Sequence, residues 1–240
     1  MNFSKLFYTT KTIPEDLFIR RLRCSVIGEG MLREGNIYLI DHAIQNMPQK
    51  GNVIEIGSYG GLSTNLILYL LKKHKREEPL FNCDPWIYEG YEDYKGTSSE
   101  FMDGRNDIER IEYMNYIKQS FINSINFLTK DRLPHTFELK SDVFFQKYTE
   151  KQTLVDLFGK EVTLGAPISF AYIDGDHAYN SAKKDFENVA KFLLTGGFVL
   201  FDDSEDGSKM GSAKLMKELT KDIRFKLIDK NPNYLFQKIV

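Results

Sequence analysis

The feature that most constrains this chain is an alternation of short apolar segments with amphipathic segments of helical spacing. Several of the apolar segments have no polar interruption, which is typical of strands covered on both faces. The candidate strands are residues 53–56, 80–83, 136–139, 168–173, 198–201, 225–228 and 234–239. Between them, apolar residues recur every three or four positions, as on one buried helix face. This alternation predicts an α/β fold with a mostly parallel, doubly wound sheet.

The length of 240 residues and the 42% hydrophobic content fit one domain over residues 1–240. Within it, residues 1–46 are predicted to be a mostly helical N-terminal preface with a turn at 28–30. Residues 85–130 form a connection longer than the ~20 residues that a crossover helix needs. We expect this insertion to be a substrate lid, and a packed surface excursion is the alternative. Its first part is aromatic and acidic, with Trp86, Tyr88, Tyr91 and Tyr94.

Charge and composition narrow the class of partner. With 32 basic and 34 acidic residues, the chain gives no reason to expect nucleic acid. The sequence has no run of ~18 apolar residues that could span a bilayer, and its first residues lack the apolar core of a secretory signal. We therefore expect a cytoplasmic protein without a membrane partner. The two cysteines form no C-x-x-C motif, so a zinc or redox site of known spacing is not expected. A homo-oligomer stays open.

The segment N-V-I-E-I-G-S-Y-G-G-L-S-T predicts a strand, a glycine-rich turn and the start of a helix. Gly57, Gly60 and Gly61 permit positive φ angles and a close approach of the backbone to a ligand. A ligand there would meet the N-terminus of the following helix, which favours a carboxylate or phosphate. Ser63 and Thr64 add hydroxyl donors. The segment indicates a nucleotide site, and a plain tight turn is the alternative.

Two acids favour S-adenosylmethionine (SAM) as the ligand. Glu55 precedes Gly57 by two residues, where a carboxylate would repel the diphosphate of NAD but not the ammonium and sulfonium of SAM. Asp84 follows the next strand and can accept hydrogen bonds from ribose hydroxyls of either cofactor. Its alternative role is a cap before Pro85. An NAD-dependent oxidoreductase is thus disfavoured, also because the chain lacks a clean G-x-G-x-x-G.

Three more acids follow the strands at 168–173 and 198–201. Asp174, Asp202 and Asp203 should meet at the edge where open α/β sheets bind ligands. Neighbouring carboxylates repel one another unless a cation lies between them. Oxygen ligands suit Mg²⁺, so we expect a magnesium site, and helix caps without metal are the alternative.

Several of these motifs resemble those of a known family. E-I-G-S-Y-G-G-L-S is similar to the SAM loop of class I methyltransferases, especially the catechol O-methyltransferase-like branch, which also lacks the middle glycine at the place of Tyr59. The acid pattern is similar to macrolide-sugar O-methyltransferases, and D-G-D-H-A-Y to bacterial tailoring methyltransferases. The resemblance extends from about residue 50 to the C-terminus. It implies a Rossmann-like sheet of seven strands with an antiparallel last strand, which the N-P-N turn before the final strand fits.

The resemblance also implies roles for individual residues. Ser141 and Asp142 lie where the family lines the adenine, although a helix cap is an alternative. His177 takes the place of the lysine that accepts the hydroxyl proton, and histidine can do so near neutral pH. Asp174 and His177 are therefore the expected catalytic residues. The expected cofactor-binding residues are Glu55, Gly57, Ser58, Tyr59, Gly61, Ser63, Asp84, Ser141 and Asp142.

The sequence thus predicts a SAM-dependent methyltransferase that methylates a hydroxyl group of a small molecule with the help of Mg²⁺. Sugar, phenol and polyketide-type acceptors all fit. A metal-free methyltransferase and a non-catalytic SAM-binding or nucleotide-binding protein are the alternatives.

Overall fold

The structure is a computed structural model that describes residues 9–28, 31–87 and 109–240. Its strands are β1 Asn52–Ile56, β2 Leu80–Cys83, β3 His135–Phe137, β4 Thr153–Val155, β5 Glu161–Thr163, β6 Ile168–Ile173, β7 Leu193–Phe201, β8 Phe225–Lys230 and β9 Tyr234–Lys238. Its helices are α1 Leu17–Ser25, α2 Glu34–Asn46, α3 Leu62–Lys73, α4 Arg110–Leu128, α5 Ser141–Thr149, α6 Tyr179–Phe192 and α7 Gly211–Leu219.

The main sheet has seven strands in the order β3-β2-β1-β6-β7-β9-β8. The pairs from β3 to β7 are parallel, and β9 runs antiparallel to both β7 and β8. This topology confirms the predicted fold class and the antiparallel last strand. The chain order reverses between β1 and β6, so the loops that follow these two strands leave the sheet in opposite directions. The crevice between such loops is where ligands bind in open α/β sheets.

Helices cover both faces of the central strands, so neither face is exposed to water. Every residue of β1, β2, β3 and β6 is buried. One apolar cluster joins α1 to α4 to one face of the sheet, with Ile40, Leu66 and Phe121 fully buried. A second cluster joins α5 to α7 to the other face, with Phe144 and Val189 fully buried. Helices on both faces shield the parallel strands from water, as the apolar runs require.

The structure adds elements that the sequence did not predict. The β4–β5 hairpin forms a separate two-stranded sheet, and α5 and α7 follow β3 and β7. Helices α1 and α2 lie within residues 1–46, and α4 lies within the second half of the insertion. Residues 88–108, which carry most of the predicted lid, lie outside the described residues. No helix in the described ranges is long and apolar enough to cross a membrane.

Candidate functional site

A cavity of about 890 Å³ opens at the carboxyl ends of β1, β2 and β6. Its volume lies in the range typical of small-molecule and cofactor sites. Most of the residues that the sequence predicted as functional line this cavity. These are Gly57, Ser58, Tyr59, Ser63, Asp84, Ser141, Asp142, Asp174 and His177. Glu55, Gly61, Asp202 and Asp203 are not among the lining residues.

Asp84 organises the loop after β1. Its Oδ2 accepts the backbone N–H groups of Ser58 at 2.8 Å and Tyr59 at 2.9 Å, and its Oδ1 accepts that of Trp86 at 2.7 Å. Tyr59 and Trp86 have φ angles of 44° and 45°, which non-glycine residues rarely adopt. The carboxylate thus holds a strained turn and keeps about one lone pair for a ligand in the cavity. Burial raises the pKa of Asp84, and the three backbone N–H groups oppose that effect.

Gly57 lets the β1 loop touch the end of β6. Its φ is +84°, and a Cβ there would lie 2.1 Å from the backbone oxygen of Asp174. No other residue type fits both constraints. At the far end of the turn, Gly61 has a φ of +90° and caps α3, whose first turn brings Ser63 to the cavity. The positive end of the helix dipole therefore faces the ligand space.

Glu55 lies beneath the loop rather than beside the ligand. It is fully buried, and its Oε2 accepts the hydroxyls of Thr64 at 2.5 Å and Ser58 at 3.3 Å. Its Oε1 has no hydrogen-bond partner among the described residues. Burial raises the pKa of Glu55 to about 7, against the opposing effect of the hydroxyl donors. Glu55 therefore supports the turn from below.

Asp174 and Asp202 form a carboxyl pair at the edge of the cavity. Asp174 keeps 28% of its side-chain exposure, whereas Asp202 is 6% exposed. Oδ1 of Asp202 accepts the side-chain amides of Asn36 at 2.5 Å and Asn233 at 2.6 Å. Burial, and then the neighbouring Asp202, raise the pKa of Asp174 well above its ordinary value. Two carboxyl groups so placed require a proton or a cation between them.

His177 lies between two acids on the cavity wall. Its Nε2 is 3.9 Å from Oδ1 of Asp174 and 3.7 Å from Oδ2 of Asp203. Asp203 has a φ of 44°, and its Oδ1 is 3.8 Å from the guanidinium of Arg33. Arg33 also pairs with Glu205. The imidazole is therefore close to negative charge and accessible from the ligand space, with 20% of its side chain exposed.

The predicted magnesium ligands do not form one shell in this arrangement. Across the described ranges, no group of three or more His, Cys, Asp or Glu side chains is placed to hold a metal ion. Asp202 is engaged by two amides, and Asp203 faces Arg33 and His177. Only the adjacency of Asp174 and Asp202 fits a shared cation. The role of Mg²⁺ stays a prediction.

The other end of the cavity lies at the start of α5. Ser141 and Asp142 occupy the first helical turn, and both line the cavity. Asp142 pairs with Lys184 at 3.0 Å, and this hydrogen bond lowers the pKa of Asp142. Asp185 was not predicted, although it also lines the cavity. Its only sequence signal is an acid on the buried face of α6, next to Phe186.

Three further residues around the acid pair escaped the sequence analysis. Asn36 comes from α2, Asn233 from the turn before β9, and Arg33 from the residue before α2. Asn36 also donates to the hydroxyl of Tyr172, and Asn233 donates to the Asn36 side chain at 3.0 Å. No local motif marks these positions, because their role depends on contacts across the fold.

Comparison with known proteins agrees with this geometry. A family model described as "Methyltransferase domain" matches residues 54–204, which is more than half of the chain. A search of curated proteins finds no match.

Solved structures share the fold at low sequence identity. The O-methyltransferase NovP is 18% identical over 85% of this chain and 79% of its own, with a TM-score of 0.53. An O-methyltransferase from Bacillus cereus in complex with SAH is 14% identical over 95% and 93% of the two chains, with a TM-score of 0.53. TomG from Streptomyces achromogenes, in complex with SAM, is 12% identical over 95% and 92%, with a TM-score of 0.52.

The family match spans both the loop after β1 and the acids after β6 and β7. The family match, the loop after β1 and the sheet topology thus agree with the sequence prediction of a SAM cofactor. The chain belongs to the methyltransferase-domain family and is a SAM-dependent methyltransferase of class I.

Proposed function

We propose that this enzyme methylates a hydroxyl oxygen of a small molecule and that His177 accepts the hydroxyl proton. The observation that carries the proposal is the position of the imidazole. It lines the cavity, and its Nε2 lies within 4 Å of carboxylate oxygens of Asp174 and Asp203. An imidazole that faces the cavity can reach the hydroxyl group of a bound acceptor.

The cofactor would lie along the cavity from α3 to α5. The remaining lone pair of Asp84 would accept a ribose hydroxyl. The N-terminus of α3 and Ser63 would receive the carboxylate of the methionine part. Ser141 would face the adenine. This placement directs the methyl group towards His177 at the end of β6.

The reaction is then an in-line displacement. The acceptor oxygen forms a bond with the methyl carbon as the carbon–sulfur bond breaks, and the electron pair of that bond goes to sulfur. The hydroxyl proton goes to Nε2 of His177, and neutral S-adenosylhomocysteine (SAH) leaves. Alignment of oxygen, carbon and sulfur supplies much of the acceleration.

Metal assistance is the finer prediction. Asp174 and Asp202 would hold a Mg²⁺ ion, which supplies Lewis-acid stabilisation of the developing negative charge when bound. A metal-free mechanism is the second candidate, because Asp202 and Asp203 already have nitrogen partners. EDTA distinguishes the two: a loss of turnover that Mg²⁺ restores supports the metal, and full turnover in EDTA supports the metal-free mechanism.

The structural neighbours suggest where to look for the acceptor. CalS11 is described as a TDP-rhamnose 3'-O-methyltransferase of calicheamicin biosynthesis, and TomG is involved in tomaymycin synthesis. We infer a small-molecule acceptor, with the hydroxyl on a sugar, a phenol or a polyketide-type compound.

The test is SAH release with a panel of sugar and phenol acceptors. The His177→Gln variant should lose about 100-fold or more in turnover, since positioned general bases contribute that much. It should bind SAH like the wild type. The control is His74→Gln, because His74 pairs with Asp41 at 2.7 Å and does not line the cavity. Unchanged turnover in His177→Gln would refute its role as the base, and no SAH binding by the wild type would refute the whole proposal.

A further inference from the structure

Two methionines line the ligand cavity without a role in the proposed reaction. Met31 lies in the connection between α1 and α2, and Met210 directly precedes α7. The two residues are 55% and 46% exposed, although methionine is among the residues that folding most often buries. Apolar surface exposed inside a concave site is typical of a surface that a ligand covers.

Both methionines lie on segments that meet at the acid beside His177. Arg33, two residues after the first methionine, is 3.8 Å from Oδ1 of Asp203. Ser212, two residues after the second, donates its hydroxyl to the backbone oxygen of Asp203 at 2.8 Å and its backbone N–H to the backbone oxygen of His177 at 3.1 Å. Oδ2 of Asp203 is 3.7 Å from Nε2 of His177. The two methionines therefore border the end of the cavity where the acceptor hydroxyl would react.

This end of the cavity offers few hydrogen-bonding side chains. In the described parts of segments 27–33 and 207–211, the side chains that line the cavity are apolar except for Lys209. The apolar ones are Ile27, Met31, Leu32 and Met210. A hydroxyl group that leaves water without gaining a hydrogen-bond partner is costly. A sugar would bring several such hydroxyls to these segments, whereas an apolar ring would bring none.

The chemistry of the proposed base favours the same kind of acceptor. A phenol loses its proton near a pH of about 10, whereas an aliphatic hydroxyl resembles water, whose pKa is about 15.7. Histidine side chains exchange their proton near neutral pH, so His177 is better matched to the hydroxyl of a phenol. Methionine sulfur also makes favourable contacts with aromatic rings. An aromatic ring therefore suits both the base and the side chains around it.

We propose that Met31 and Met210 hold the acceptor and that the acceptor carries its reacting hydroxyl on an aromatic ring. The proposal rests on the proposed function and narrows its acceptor to phenols. The phenolic oxygen takes the methyl carbon of SAM, its proton goes to His177, and SAH leaves. The two methionines determine specificity, because they contact the ring and not the reacting atoms.

Matched acceptors test the class of acceptor. SAH release by the wild type is measured with 2-naphthol, with its saturated counterpart decahydro-2-naphthol and with methyl glucoside. The value of kcat/KM should be at least about 100-fold higher for 2-naphthol than for the other two compounds. Calorimetry on the SAH complex should show binding of 2-naphthol and no binding of methyl glucoside at the same concentration.

Variants test the two methionines. Met31→Gln and Met210→Gln keep the length of the side chain but make its end polar, so each should raise KM for 2-naphthol about tenfold. The value of kcat and the affinity for SAH should stay within about threefold of wild type, because only contacts with the ring are lost. Met31→Leu stays apolar and should keep the wild-type KM. Ile223→Gln is the control, because Ile223 is 86% exposed and does not line the cavity.

The outcomes separate this proposal from the proposed function. If the wild type binds SAH but its SAH complex does not bind 2-naphthol, or if it methylates either other compound as well as 2-naphthol, the aromatic acceptor is overturned. An unchanged KM in both glutamine variants overturns the role of the methionines, and so does an equal rise in Ile223→Gln. Failure of the wild type to bind SAH would instead overturn the proposed function.

Discussion

Glu55 should make the stability of this protein fall as the pH rises through neutrality. The side chain is fully buried, and burial raises its pKa from 4.5 to about 7. The folded state therefore holds a proton that the unfolded state releases between these two values. The contribution of Glu55 to the unfolding free energy is fully present below pH 4.5 and is lost as the pH rises through about 7.

The magnitude follows from the size of the pKa difference. One pKa unit corresponds to about 1.4 kcal/mol, so the full effect of this shift is about 3–4 kcal/mol. Between pH 5 and pH 8 the unfolding free energy should fall by about 2–3 kcal/mol through Glu55 alone. Glu55→Gln removes the titration. Its amide oxygen can keep the hydroxyl bonds of Thr64 and Ser58, which are 2.5 and 3.3 Å long in the wild type.

The assay is urea denaturation of both proteins at pH 5 and pH 8. The difference in unfolding free energy between Glu55→Gln and wild type should shift in favour of the variant by about 2–3 kcal/mol over this interval. The exposed Glu77→Gln serves as the control for the loss of one charge. Since Glu55 does not line the cavity, the variant should bind SAH within about threefold of wild type. If the difference in unfolding free energy between the two proteins is the same at pH 5 and pH 8, the prediction that buried Glu55 titrates near neutral pH is refuted.

Two other predictions concern the loop after β1. Asp84→Asn replaces one acceptor oxygen with a donor, so at least one of the three backbone hydrogen bonds is lost. The unfolding free energy, measured by denaturation, should fall by about 1.5–3 kcal/mol, and the SAH affinity, measured by calorimetry, should fall about tenfold or more. Normal SAH affinity in this variant would contradict the role of Asp84. Gly57→Ala combines a φ of +84° with a contact of 2.1 Å to the oxygen of Asp174, so it should abolish SAH binding and lower the melting temperature. A variant with wild-type melting and binding would show that the loop can move away from β6.

Most of the sheet could be predicted from the sequence because its determinants are local. Every residue of β1, β2 and β6 is buried and most of them are apolar, and the helices between them repeat their apolar residues at the helical period. The β4–β5 hairpin carries no such signal. Its strands have three residues each and an exposed–intermediate–exposed burial pattern. Short exposed strands bury too little apolar surface to leave a pattern in the sequence.

The sequence predicts which edge of the sheet carries the site, but it does not predict how the side chains of the site are arranged. Strand ends specify that Asp174, Asp202 and Asp203 lie near one another, since parallel strands end at the same edge. The direction of each side chain depends on distant partners. Asn36 and Asn233 donate to Oδ1 of Asp202, which does not line the cavity, and they lie 166 and 31 residues from it in the chain. A local motif cannot encode such contacts.

The electrostatic argument for SAM survives, although its original basis changes. The sequence suggested that Glu55 would repel a diphosphate, but the structure buries Glu55 below the loop with a pKa of about 7. Among the described residues, the acids that line the cavity are instead Asp84, Asp142, Asp174, Asp176 and Asp185. A ligand that brings a sulfonium and an ammonium lowers the cost of holding these carboxylates ionised, whereas a diphosphate would raise it. The choice of cofactor charge therefore rests on several acids along the cavity, and no single one of them is required to explain it.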